Sequence, residues 1–173
     1  MVVTPSQISY RIRPVAQSDR RALTRFYAGL SPDSLEARFH GATSGIGDGA
    51  ARFFCGPDHE HREGLVAETT DGSGRPMIVG HVCLEPTGPG AVEMAIAVAD
   101  QLQHHGLGRA MLLRAISWSR RHGVATLSAS IRSSNGAMLG LIRSMGMPVA
   151  RDDGDGGIVD ALIDLRAPVP HAA

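Results

Sequence analysis

Two periods of apolar residues divide the chain. Residues 8–13, ISYRIR, alternate until Pro14, the pattern of an edge strand. Leu23, Phe26, Tyr27 and Leu30 then share one helical face, with Ser18 or Asp19 placed to cap it. Ser31-Pro32 restarts the chain with a capping serine and a proline at the first helical position, and Leu35 and Phe39 fill a short second helix. Residues 41–50, GATSGIGDGA, read as loop, and ARFF at 51–54 as one further helical turn. From residue 64 the period shortens. GLVAETT, MIVGHVCLE and AVEMAIAV predict three strands separated by the turn clusters DGSGRP and PTGPG. Leu107, Met111, Ala115 and Trp118 return to helical spacing, and that helix stops at Gly123. VATLSASI predicts a strand, Asn135 caps a helix that ends at Gly146, and GIVDALIDL predicts the closing strand.

The order is therefore strand, two or three helices, three strands, helix, strand, helix, strand. That order predicts one α/β domain over residues 1–166 with a mixed, mostly antiparallel central sheet flanked by helices, followed by a frayed tail at 167–173. The meander comes first, and the helix after it carries the chain across to a parallel strand.

Composition narrows the chemistry. The 17 basic residues balance 17 acidic ones, and every basic residue is arginine. Zero net charge speaks against nonspecific nucleic-acid binding. Without lysine there is neither Schiff-base nor P-loop chemistry. No apolar run nears the roughly 18 residues of a membrane span, and the first residues lack the layout of a signal peptide. Cys55 and Cys83 form no C-x-x-C pair, so a cytoplasmic protein with reduced thiols is expected. His59 and His61, in DHEHRE, match no standard zinc spacing, and no metal site is expected.

One stretch, QHHGLGRAMLLR at 103–114, places two glycines where a helix must begin. A helix start has unpaired N–H groups and a partial positive charge. Gly106 and Gly108 clear side chains from those groups and permit unusual backbone angles, which makes a phosphate pocket from backbone alone. A dinucleotide fingerprint fits poorly: position 111 is Met and the motif follows the fourth strand, not the first. The glycines also allow a blander reading, close packing of helix on strand.

V-x-D-x-L-Q-H-H-G-L-G at 98–108 resembles the Q/R-x-x-G-x-G/A motif of the GNAT superfamily of acetyl-CoA-dependent N-acetyltransferases, and NGAMLGLIRSMGM at 135–147 resembles its next motif. IRPVAQSD, LSPDSLEARF, DHEHREGLVAE and VEMAIAVAD are similar to segments of the Pat-type protein lysine acetyltransferases. The resemblance covers nearly the whole chain and implies the single-domain GNAT fold. It implies that Gln103, His104, His105, Gly106, Leu107, Gly108 and Arg109 hold the pyrophosphate of acetyl-CoA, the co-substrate. It implies that Ile96, Ala97 and Val98 bond the pantetheine arm and that Asn135 and Met138 meet it from the other side. The rings of His104 and His105 are expected in solvent.

Glu93 interrupts an apolar strand just before those contacts. A carboxylate desolvated there suits a general base near neutral pH, whereas alternation alone also allows Glu93 a place in solvent at a sheet edge; the Pat-type resemblance places the catalytic Glu at this position. An N–H near Ala97 is the expected oxyanion donor. Ile142 stands where many GNAT enzymes carry a tyrosine acid, so the thiolate is expected to leave as the anion or with a proton from water. His81, mid-strand beside Cys83, is expected to be packed. The acceptor is a protein lysine by resemblance, with a small amine or amino acid as the alternative and a non-catalytic acyl-CoA sensor as the third reading. Neither nucleic acid nor membrane is an expected partner, and a homodimer stays open.

Overall fold

The computed structural model describes residues 9–145, 149–153 and 157–166. Strand β1 (Arg11–Pro14) is followed by helices α1 (Arg20–Ala28), α2 (Pro32–Phe39) and α3 (Asp48–Phe54). Strands β2 (Glu63–Thr70), β3 (Pro76–Gly88) and β4 (Ala91–Val98) form the meander. Then come α4 (Leu107–Arg121), β5 (Thr126–Arg132), α5 (Gly136–Ser144), β6 (Val149–Asp153) and β7 (Ile158–Asp164). The strands order as β1-β2-β3-β4-β5-β7-β6. Among the described residues only β4 and β5 pair in parallel, as expected of a helical crossover; the other pairs are antiparallel.

Strand alternation assigns the two faces. On β3 the even residues face α4: a Cβ at Gly80 would come within 2.5 Å of Met111 Sδ. That close approach of helix to sheet requires a glycine in the middle of a strand. Leu107, Met111, Leu112, Ala115 and Trp118 of α4 are buried here, with Leu139 and Ile142 from α5 and Met145 just after it in the same core. The odd residues His81 and Cys83 face the other way, towards Tyr27 of α1 and Arg38 of α2. Helices α1–α3 pack on this second face over β3 and β4, and α2 reaches the end of β5 through Glu36 and Arg132. Beyond β5, Asp160 and Leu162 of β7 are exposed.

Ser31 caps α2 as expected, accepting from the Ser34 N–H at 3.2 Å. Neither expected cap of α1 acts as one. Asp19 instead accepts from Arg13 at 2.7 and 2.9 Å and from the Ala16 N–H at 2.8 Å, because an arginine on β1 competes for its carboxylate. The turn expected at 51–54 extends back to Asp48, and β6 is a strand the apolar pattern did not predict. The expected stop of α5 at Gly146 and the tail at 167–173 lie outside the described residues.

Candidate active site

Strands β4 and β5 pair only from Ala91 to Glu93 against Thr126 to Ser128. Beyond Glu93 they part, and a cavity of about 1080 Å³ opens between them. It is walled by Met94–Val98 of β4, Ala129–Arg132 of β5, the start of α4, one side of α5 and one side of α2.

The α4 end of the cavity is built from backbone. Gly106 precedes the helix at φ +84°, a left-handed conformation in which a Cβ would be strained, and a Cβ there would meet nothing within 4 Å. A Cβ at Gly108 would make only ordinary contact, 3.6 Å from Leu141 Cδ2. The packing explanation of these glycines therefore fails at both positions. Their missing side chains leave space in the cavity, above the free N–H groups of a 15-residue helix. Such a cradle fits a phosphate group.

The loop before α4 is pinned to α2. Gln103 Nε2 donates to Ser34 Oγ at 3.0 Å and to the Val98 carbonyl at 3.2 Å. Asp100 accepts from the Ser31 N–H and hydroxyl at 2.9 and 2.7 Å and from the Ser34 hydroxyl at 2.6 Å. Partial burial would raise the Asp100 carboxyl, but these hydrogen bonds prevail and hold it below the ordinary carboxylate range.

Of the residues expected at the coenzyme, Ile96, Ala97, Val98, Gln103, His104, Gly106, Gly108, Arg109, Asn135 and Met138 line the cavity. Two do not. Leu107 is 2% exposed and belongs to the core, so only its backbone is available. The exposed ring of His105 turns back, with Nδ1 donating to the Gln103 carbonyl at 2.6 Å. Asn135 Oδ1 accepts from the Met138 N–H at 3.0 Å and caps α5, which leaves its Nδ2 to donate. Ile142 is buried.

Two expectations need correction. The Ala99 N–H donates to the Val79 carbonyl, so the odd residues of β4, Ala97 among them, turn their backbone groups to β3. The groups facing the gap belong to the even residues, as the bonds from Ser128 Oγ to the Val92 carbonyl and from Gln103 to the Val98 carbonyl mark. Of the N–H groups near Ala97, the one that faces the gap is therefore that of Ile96, and the backbone of Ala97 itself is spent on β3. Glu93, in turn, is exposed rather than desolvated: it sits at the point of divergence, on the face that α1–α3 leave open.

Sequence reasoning missed the contribution of α2. Ser34, Glu36, Arg38 and His40 all line the cavity, and Glu36 pairs with Arg132 of β5 at 3.0 Å, joining α2 to β5. His81 is packed as expected, fully buried with Nδ1 2.8 Å from the Tyr27 hydroxyl. Burial, reinforced by the Arg38 charge, brings its imidazole down to about 3. His59 and His61 engage Glu63 and Asp58 at 2.6 and 3.1 Å, and among the described residues no cluster has the makings of a metal site. No helix among the described residues is long and apolar enough to cross a membrane.

The parted parallel pair with a glycine-opened helix beside it defines a class. The model of the acetyltransferase (GNAT) family matches residues 32–147. The chain belongs to that family, whose co-substrate is acetyl-CoA. Among solved structures it is similar to the GNAT domain of PAT from Streptomyces lividans, with 26% identity, 90% of each chain covered and a TM-score of 0.80. It shares its fold with an N-acetyltransferase of Thermoplasma acidophilum solved with coenzyme A, at 15% identity, 91% and 99% coverage and a TM-score of 0.71. It is also 45% identical over 51 residues to the ribosomal protein bS18-alanine N-acetyltransferase of Escherichia coli, a segment that covers 30% of this chain and 34% of that one. The chain thus spans about a third of the length of the curated relatives it matches.

Proposed function

We propose that the protein transfers the acetyl group of acetyl-CoA directly to an amine on another protein, a lysine side chain foremost, with Glu93 as general base. One observation carries the reading. Glu93 stands exposed where β4 and β5 part, and no residue from 41 to 62 lines the cavity beside it. A site that handled only small amines needs a closed pocket around the base, whereas a lysine on a folded protein needs open access. The exposed face of β7 next to it, with Asp160 and Leu162, offers room for a large acceptor.

In this reading the backbone at Gln103–Arg109 takes the pyrophosphate. The gap-facing backbone of Ile96 and Val98, with Asn135 Nδ2 and Met138 opposite, takes the pantetheine arm. The acceptor nitrogen attacks the thioester carbon, Glu93 accepts the proton the amine must lose, and the carbon–sulfur bond breaks. The Ile96 N–H stabilises the developing oxyanion. The thiolate departs as the anion or takes a proton from water.

The match to an enzyme named for a ribosomal-protein alanine favours a second reading, the α-amine of a protein as acceptor. Mass spectrometry separates the two. Acetyl-CoA is supplied with a lysine peptide blocked at its N-terminus, with a peptide having a free N-terminal alanine and no lysine, and with free amino acids. Acetyl-lysine in the blocked peptide is the expected product. Acetylation confined to the free α-amine establishes the second reading, and acetylation of amino acids alone overturns both. The enzyme has no lysine of its own to add background.

A further inference from the structure

Arg38, one turn beyond Ser34 on α2, lines the cavity and takes no part in the chemistry described so far. Its guanidinium lies 4.8 Å from the ring centre of Phe39 and 5.5 Å from that of Phe54, and one terminal nitrogen donates to Cys83 Sγ at 3.4 Å. Its Nε is buried without a hydrogen-bond partner. His40, two residues on, lines the same cavity, and its Nδ1 is likewise buried and unpartnered.

The surroundings are neutral. Burial pushes the Cys83 thiol up to about 11 and the Tyr27 phenol well above its usual range, while His81 is held uncharged. The carboxylates on the neighbouring elements are engaged elsewhere: Glu36 with Arg132 at 3.0 Å and Glu85 with Arg62 at 2.6 Å. Glu93 is exposed, and among the described residues no carboxylate lies within ion-pair distance of Arg38. An arginine cannot shed its proton to escape this situation. Arg38 is half-buried, its Nε fully so, and a cation so placed among neutral groups is costly; an orphaned donor in a cavity wall calls for a partner from outside the chain.

We propose that Arg38 is the anion-receiving residue of the acceptor half of the cavity, and that the acceptor brings a carboxylate to it as its amine reaches Glu93. The planar guanidinium fork suits a carboxylate, and His40 adds a second polar atom beside it. The inference rests on the protein-acceptor reading above, in which the carboxylate is an Asp or Glu side chain next to the target lysine.

The test uses N-terminally blocked lysine peptides in pairs, with Glu or Gln beside the lysine on either side. Wild-type kcat/KM is expected to favour the Glu peptide by about tenfold, the scale of a hydrogen bond to a charged group. Arg38→Gln should abolish the preference by raising KM for the Glu peptide alone, with kcat and acetyl-CoA affinity kept; Arg38→Lys should keep part of it. A wild-type ratio near one overturns the proposal. So does an Arg38→Gln variant that loses kcat equally on both peptides, the mark of a structural or thioester-polarising role. Should Arg38→Gln not fold, the wild-type ratio decides alone. Free lysine and lysine amide form the other arm. If no peptide is acetylated but free lysine is preferred over its amide, the protein-acceptor reading fails while the assignment of Arg38 stands.

Discussion

The two halves of the cavity are made of different material. At the α4 end the wall is backbone: Gly106 at φ +84°, the helix start behind it and the unpaired edge of β4. At the α2 end it is side chains: Glu93, Arg38, His40 and the Glu36–Arg132 pair. Backbone donors are the same whatever the sequence, so the first half suits a ligand shared across a whole family, and glycines are all it asks of the chain. Side chains can vary while the fold stays put, so under the proposed function the second half is where an individual member would choose its acceptor.

The sharpest way to break this division is at Glu93. An amine with the intrinsic pKa of lysine, ~10.4, is almost wholly protonated at neutral pH. Glu93→Gln keeps the shape but cannot take the proton. Turnover at pH 7 is expected to fall by about 100- to 10,000-fold, the usual contribution of a general base. Part of it should return at alkaline pH as free amine accumulates. Acetyl-CoA affinity should hold, because the backbone half is untouched. A pH–rate profile with a calorimetric titration measures both. Near wild-type turnover at pH 7 would remove Glu93 from the chemistry.

The converse experiment is Gly108→Glu. The new Cβ sits in ordinary contact with Leu141 and Val98, so the fold tolerates it, but the carboxylate enters the phosphate cradle. Losing hydrogen bonds to a charged group costs about 1.5–3 kcal/mol, so coenzyme A should bind at least about tenfold more weakly by calorimetry, with thermal stability little changed. Unchanged affinity in the folded variant would place the phosphates elsewhere.

The same contrast governed what the sequence made legible. The strands, the two crossover helices and the glycine loop were readable because periodicity and turn chemistry are local. The strand β6 was not: VARDD has three charged residues in five and becomes a strand by pairing with β7. Glu93 stood out as a carboxylate in an apolar run, and alternation left both a desolvated and a solvent-facing place open; the choice depends on how far α1–α3 reach across the sheet. Arg38 reads in sequence as an ordinary charge on a short helix. Its half-buried setting exists only because Cys83 and Phe54, distant along the chain, come to lie beneath it. The direction of the Ala97 N–H likewise turned on hydrogen-bond parity set by the pairing of β3 and β4.

His81 sharpens the comparison from beneath the acceptor half. Folded, its buried imidazole takes no proton until pH nears about 3, whereas unfolded it does so near the ordinary 6.5. Between those values the unfolded chain binds the extra proton, so stability falls as pH drops, by up to about 1.4 kcal/mol per pH unit. His81→Asn should flatten this dependence relative to wild type, with a smaller fall in urea midpoint between pH 6.5 and 4. Equal slopes would mean that His81 is protonated in the folded protein. Asp19 and Asp100, both held below their usual range, contribute a slope of the same sign in either protein and cancel in the difference.

The smallest expected effect tests whether one side chain can serve both structure and ligand. Asn135 spends its oxygen on the cap, accepting from the Met138 N–H at 3.0 Å, and its Nδ2 is the part left to face the cavity. Asn135→Ala loses both functions. Removing such a cap costs about 1 kcal/mol, which thermal or urea unfolding resolves. Asn135→Asp keeps an acceptor for the cap, and its charge is favourable at a helix start, so stability should match wild type. It gives up the donor and sets a carboxylate towards the coenzyme arm, so acetyl-CoA should bind a few-fold more weakly, consistent with loss of about 1 kcal/mol from one neutral hydrogen bond. The two variants thus separate on two axes: Ala loses stability and affinity together, Asp affinity alone. If Asp bound acetyl-CoA as wild type does, Asn135 would be a cap and nothing more, and the polar contacts of the coenzyme arm would fall to backbone.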